Sequence, residues 1–169
     1  MRTILTVLLC AGTLFAADVN RRAPGFSLMD SKGQLHDLAD YRGKLVLLTF
    51  TQTTCPHCAD FAEALQKTQE KYGDKIVVLA VVNPPDDTSK VVSYISGHKL
   101  TYTVLFDMGQ MAYSYVLTAN LTYPRLFMID GGGTIRRDYQ YGVMTRDIFE
   151  GDKLAGEIDT LLGVPAQKK

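Results

Sequence analysis

Tryptophan is absent from this chain, and histidine and cysteine each occur only three times. Each shortage narrows the chemistry. Structural zinc needs four ligands, and there is no second cysteine pair to complete such a set. Covalent haem attachment needs a histidine directly after Cys58, where Ala59 stands instead. The one glycine run, Gly131-Gly132-Gly133, lacks the spacing and the following helix of a phosphate-cradling loop. Excess charge is missing too. Eighteen basic side chains balance eighteen acidic ones, so nothing favours nucleic acid or an anionic membrane as a partner. Repeats, low-complexity tracts and a second domain are also lacking, and 169 residues suffice for one domain with a real core.

The first seventeen residues differ in kind from the rest. Arg2 supplies a positive start, residues 4–15 are almost wholly apolar, and the small Ala16 and Ala17 precede polar Asp18 and Asn20. That is the layout of an export signal, too short for a comfortable membrane span. Cleavage is expected after Ala16 or Ala17, with an uncleaved anchor as the alternative. Bulky Leu9 before Cys10 argues against a lipoprotein site. Removing the leader removes Cys10, leaving residues 18–169 as a single extracytoplasmic domain, most simply periplasmic, whose only thiols are Cys55 and Cys58. No cysteine is then left over for a structural disulfide framework.

What is present is the stretch Thr54-Cys55-Pro56-His57-Cys58. It follows the apolar run at residues 45–50, which reads as a buried strand. It opens a helix with Phe61, Leu65, Thr68 and Tyr72 on one face. Pro56 suits the first helical position, where no N–H is needed. Cys55 therefore sits at the helix N-terminus, where free N–H groups and the helix dipole stabilise a thiolate, and a protonated His57 would add to this. Cys55 is the expected nucleophile and Cys58, one turn on, the resolving thiol. A C-x-x-C pair between a strand and a helix points to redox chemistry rather than to an inert bridge.

Elsewhere the pattern predicts a β-hairpin from Ser27-Leu28-Met29 to Gln34-Leu35-His36 around the turn at Asp30 and Gly33. A second buried strand covers residues 76–82 and ends at Asn83-Pro84-Pro85. A helix capped by Asp86, Asp87 or Thr88 follows, carrying Val91, Val92 and Ile95. Next come an extended segment at 102–106, a helix at 108–116 and a third core strand at 123–130. A hairpin turn then leads into 134–139, and a closing amphipathic helix carries Leu154, Ile158, Leu161 and Leu162. This order predicts an α/β fold: a mixed central sheet flanked by helices on both faces, with an N-terminal β-hairpin extension. Tyr94, Tyr102, Tyr113 and Tyr115 read as core or half-buried cover.

Ala23-Pro24 with Phe26 and Leu28, Gly33, Leu38, Gly43-Lys44, the Cys55–Cys58 pair, Tyr123-Pro124, and Phe127-Met128-Ile129-Asp130 before the glycines form an ordered set. In these features the chain resembles the extracytoplasmic thioredoxin-fold proteins of the TlpA-like group, within the wider redoxin family of alkyl hydroperoxide reductase relatives. The resemblance spans essentially all of the mature chain. It implies a thioredoxin fold with Pro124 in the cis form beside the dithiol and the Tyr123 backbone free to meet an extended substrate peptide. Two departures stand out. Many such proteins carry tryptophan ahead of the motif, where this chain has Thr51-Gln52-Thr53-Thr54. Many also carry glutamate three residues after the second cysteine, where this chain has Phe61.

The leading expectation is thiol–disulfide exchange on exported protein thiols and disulfides, by a monomer that needs no cofactor beyond its own Cys55–Cys58 couple and answers to a membrane redox partner. His57 and Pro56 would tune the couple, and Tyr123 and Pro124 would meet the substrate. Two alternatives stand beside it. One is thiol-dependent peroxide reduction, although relatives that do this place threonine three residues before the reactive cysteine, here Gln52. The other is Cu(I) delivery by the two thiolates, with His98 or His36 as a further ligand.

Overall fold

The computed structural model describes residues 18–117 and 121–164. The leader, its cleavage point and Cys10 lie outside the described residues. The strands are β1 (Asp18–Arg22), β2 (Ser27–Met29), β3 (Leu35–Asp37) and β4 (Leu45–Thr51), then β5 (Ile76–Val82), β6 (Thr103–Phe106), β7 (Arg125–Ile129) and β8 (Thr134–Gln140). The helices are α1 (Pro56–Tyr72), α2 (Thr88–Gly97), α3 (Gln110–Val116), α4 (Arg146–Phe149) and α5 (Leu154–Leu161). Among the described residues, no helix is long and apolar enough to cross a membrane.

Six strands form one sheet in the order β1-β8-β7-β4-β5-β6, while β2 and β3 make the separate hairpin read from the sequence. β4, β5 and β6 run parallel, and β7, β8 and β1 are added antiparallel. All seven residues of β4 are buried because helices or loops cover both faces of the sheet. Side chains alternate along a strand, so Leu45 and Leu47 join a core with Phe61 and Leu65 of α1, Val91 of α2 and Ile158 of α5. Val46, Leu48 and Phe50 point the other way, into a core with Phe26, Tyr115 and Val116. Fully burying one such side chain contributes about 1.5–3 kcal/mol.

Two elements were not legible in the sequence. Strand β1 pairs with β8, although Asp-Val-Asn-Arg-Arg shows no apolar alternation. Its pairing rests on the main chain and on polar contacts: Arg21 donates to the Tyr115 carbonyl and Arg136 to Asn20 at 2.7 Å. Helix α4 is a single turn, too short for a 3.6-residue period to show, yet it buries Ile148 and Phe149. Among the four tyrosines expected to be core or cover, Tyr94, Tyr102 and Tyr115 are buried, but Tyr113 is 79% exposed. It lies on the solvent side of the short α3, whose buried residues include Met111, Ala112, Tyr115 and Val116.

Topology explains where the chemistry sits. β4 has a parallel neighbour, β5, on one side and an antiparallel neighbour, β7, on the other, so its C-terminal end adjoins the end of β5 and the start of β7. Thr51 is in register with Val82 and Phe50 with Arg125. Loop 52–55, the turn at 83–86 and the segment at 122–124 therefore converge. Open α/β sheets place their sites at such a switch in strand order.

Candidate active site

Cys55 is the N-cap of α1 in an extended conformation, and Pro56 is the first helical residue. The Cys55 sulfur accepts the Cys58 main-chain N–H at 3.2 Å, filling the role that a serine or aspartate oxygen fills at other helix starts. The Cys55 carbonyl accepts the N–H groups of Cys58 and Ala59, both at 3.1 Å, and the Cys55 N–H donates to Gln52 at 3.3 Å. Both cysteines are free thiols. They are not equivalent. Cys55 is half-buried at the surface, whereas Cys58 is 1% exposed beneath it.

Burial pushes the Cys58 thiol up to about 12, and the adjacent Cys55 sulfur adds to the rise. The Gln52 main chain and the Thr51 hydroxyl, both facing the sulfur, act in the opposite direction. At neutral pH Cys58 is thus a protonated, sheltered thiol. Tyr94 closes the site from α2, donating its hydroxyl to the Cys58 carbonyl at 3.1 Å. Burial, together with the nearby cysteine sulfurs, raises the Tyr94 phenol, which stays neutral. Phe61, three residues after Cys58, is buried edge-on against Phe149 at 4.8 Å.

His57 is exposed and turned toward Tyr141. Its ring stacks on the tyrosine at 4.4 Å, and its Nδ1 lies 3.1 Å from the Tyr141 hydroxyl. Tyr141 in turn meets Phe149 edge-on at 5.5 Å, so a short aromatic stack ties the rim of the dithiol to the core. The Tyr123–Pro124 bond is cis, as is Pro84–Pro85, and the Pro124 carbonyl accepts the Tyr141 N–H at 3.2 Å. Burial raises the Tyr123 phenol, with Cys58 the next cause. A cavity of about 350 Å³ adjoins Tyr123, lined also by Pro84, Tyr113, Val116 and Leu121.

The structure thus gathers Cys55, Pro56, Cys58, Tyr123 and Pro124 at the convergence of three loops and places His57 at the rim. Thr51, Thr53, Asp86, Tyr94 and Tyr141 also belong to the neighbourhood. No sequence pattern marks them, because they come from five separate elements or loops and meet only in the fold. The two histidines considered as copper ligands have other partners. His98 faces Glu63 at 3.5 Å and Tyr94. His36 bonds Tyr41 and Asp30 in the N-terminal hairpin region. Among the described residues, no group of three or more His, Cys, Asp or Glu side chains is placed to hold a metal ion.

A half-buried cysteine capping a helix, a buried partner one turn inside and a cis proline at the same end of a mixed sheet define a thioredoxin-fold dithiol oxidoreductase. Residues 19–138 match the AhpC/TSA family, and the chain belongs to that family. It is 32% identical over 132 residues to the thioredoxin-like protein YneN of Bacillus subtilis, spanning 77% of this chain and 75% of that one. It is 30% identical over 135 residues to the thiol-disulfide oxidoreductase ResA of Geobacillus kaustophilus, spanning 80% and 76%. A solved structure of a Chlorobium tepidum protein assigned as the thiol:disulfide interchange protein DsbE superposes with a TM-score of 0.69 at 26% identity, covering 82% of this chain and 96% of that one.

Proposed function

We propose that this protein is an exported thiol–disulfide oxidoreductase that exchanges disulfides with cysteines of extracytoplasmic proteins, working as a monomer between those substrates and a membrane redox partner. The observation that carries the reading is the asymmetry of the pair: one sulfur at the surface on a helix N-terminus, the other sealed beneath it. Support for the location comes from the leader-like first seventeen residues.

In the reducing direction, the Cys55 thiolate attacks one sulfur of a substrate disulfide. That S–S bond breaks, and its electron pair leaves on the other substrate sulfur, which takes up a proton. Cys58 then gives up its proton and attacks the Cys55 sulfur. This forms the Cys55–Cys58 disulfide and expels the second substrate thiolate, so the substrate gains two electrons and the protein loses two. The oxidising direction is the reverse. In either direction the Cys58 main-chain N–H donates to the Cys55 sulfur and holds it at the helix start. His57, held by Tyr141, sets the polarity of the rim, and Tyr123 with Pro124 offers main chain to an extended substrate. No bound cofactor is needed for these steps.

The test is the reduction potential of the Cys55–Cys58 couple in glutathione buffers, alongside substrate trapping. A value of about −120 to −180 mV makes the protein an oxidant or isomerase, and about −270 mV or lower makes it a reductant. Cys58→Ser is expected to accumulate mixed disulfides with exported proteins, and Cys55→Ser to form none. If the wild-type pair forms no reversible disulfide, the reading fails.

A further inference from the structure

The turn after β5 carries a carboxylate that reaches into the dithiol loop. Asp86 is anchored by its own N–H, which donates to the Asn83 carbonyl at 3.1 Å. From there one carboxylate oxygen accepts the Thr53 main-chain N–H at 2.7 Å, and the other accepts the Thr53 hydroxyl at 2.6 Å. Both bonds are charge-assisted, and together they fix the orientation of Thr53 as well as its position. Thr53 directly follows Gln52, whose carbonyl accepts the Cys55 N–H at 3.3 Å. Thr51, just before it, ends β4 in register with Val82. Three residues of irregular backbone thus join the central strand to the nucleophile, and Asp86, 33 residues away in sequence from Thr53, pins them from the side.

We propose that Asp86 is a positioning residue for the resolving step: through Thr53 it holds the Gln52 main chain, and hence Cys55, in the one orientation from which Cys58 can displace a bound substrate. This rests on the thiol–disulfide reading. The step is geometrically demanding because three sulfurs must lie nearly in line, and Cys58, locked inside α1, cannot move to meet a wandering Cys55. Attack on an incoming disulfide makes no such demand, since a free substrate can approach Cys55 at whatever angle it presents. Loss of the clamp therefore acts on the second step and spares the first.

The two steps separate with a chromogenic aryl disulfide, which releases one coloured thiolate on attack by Cys55 and a second when Cys58 resolves the adduct. In Asp86→Ala the second release is expected to slow about tenfold relative to the first, a change of the size that one lost charged contact produces. Asp86→Asn retains an oxygen for the Thr53 N–H and is expected to restore the ratio to within about twofold of wild type. An unchanged ratio in Asp86→Ala overturns the proposal. So does equal slowing in both variants, which would assign the effect to charge. Thr53→Val removes only the hydroxyl half of the clamp and is expected to slow the second release by a smaller factor. If Asp86→Ala does not fold, an unchanged ratio in Thr53→Val overturns the proposal instead. Absence of any coloured release from the wild-type protein strikes the parent reading, not this one.

Discussion

Asp30 shows how one buried carboxylate organises the N-terminal hairpin. A single oxygen accepts the N–H groups of Lys32 and Gln34, both at 2.8 Å, while the other faces the His36 ring at 3.2 Å. Burial alone would raise its pKa, but the two N–H donors and the imidazole outweigh burial and hold it below the ordinary carboxylate range. The sign of the pH dependence follows. A depressed folded-state value contributes stability that is complete above the unfolded-state value, about 3.9, and is lost as pH falls through the folded-state value. Asp30→Ala is expected to lose about 2 kcal/mol at neutral pH, because charged hydrogen bonds of this kind contribute about 1.5–3 kcal/mol. The gap between variant and wild type should narrow as denaturant midpoints are followed below about pH 4. A gap that stays constant into acid would show that the carboxylate charge contributes nothing.

Among the elements, the glycines that carried part of the family resemblance have a specific task. Gly43 donates its N–H to the Gly131 carbonyl at 3.0 Å, bringing the approach to β4 against the β7–β8 turn. A Cβ on Gly131 would lie 2.9 Å from Gly43 backbone atoms, which have no flexible end to yield. Gly131→Ala is therefore expected to cost about 1–3 kcal/mol in urea unfolding. A neutral result would mean that the turn can shift without loss. The central strands, α1 and the two hairpins were legible in the sequence because their signals are local: unbroken apolar runs, a helical stripe, and Gly or Asp at turns. Cys55, Pro56 and Cys58 were legible for the same reason. The clamp by Asp86 was not, since an aspartate before a helix reads as a cap, and Asp87 in fact takes that role. Tyr94 likewise reads as ordinary aromatic cover and nothing local marks Tyr141, because their roles depend on partners far away in the chain.

For the molecule as a whole, β1 decides how the sheet ends. It lies along β8, the Ala23 N–H donates to Gly133 at 2.9 Å, and Arg21 ties the strand to the carbonyl end of α3 at Tyr115. A protein that begins at Ala23, without residues 18–22, would leave β8 as an uncovered edge, and exposed edges recruit other chains. The truncated protein is expected to melt several degrees lower and to self-associate in sedimentation, with about 1 kcal/mol shifting Tm by some 2–8 °C for domains in this size range. An unchanged melting temperature in a monodisperse truncation would show that the strand is dispensable cover.

The sheltered position of Cys58 carries a consequence for traffic through the molecule. Every covalent partner, whether it delivers electrons or receives them, must use the same surface atom, the Cys55 sulfur. The protein therefore has a single valence toward the outside and serves its two clientele in turn, as in a double-displacement cycle. Whichever partner holds that sulfur excludes the other, so the oxidised and reduced forms alternate and no covalent complex contains both partners at once.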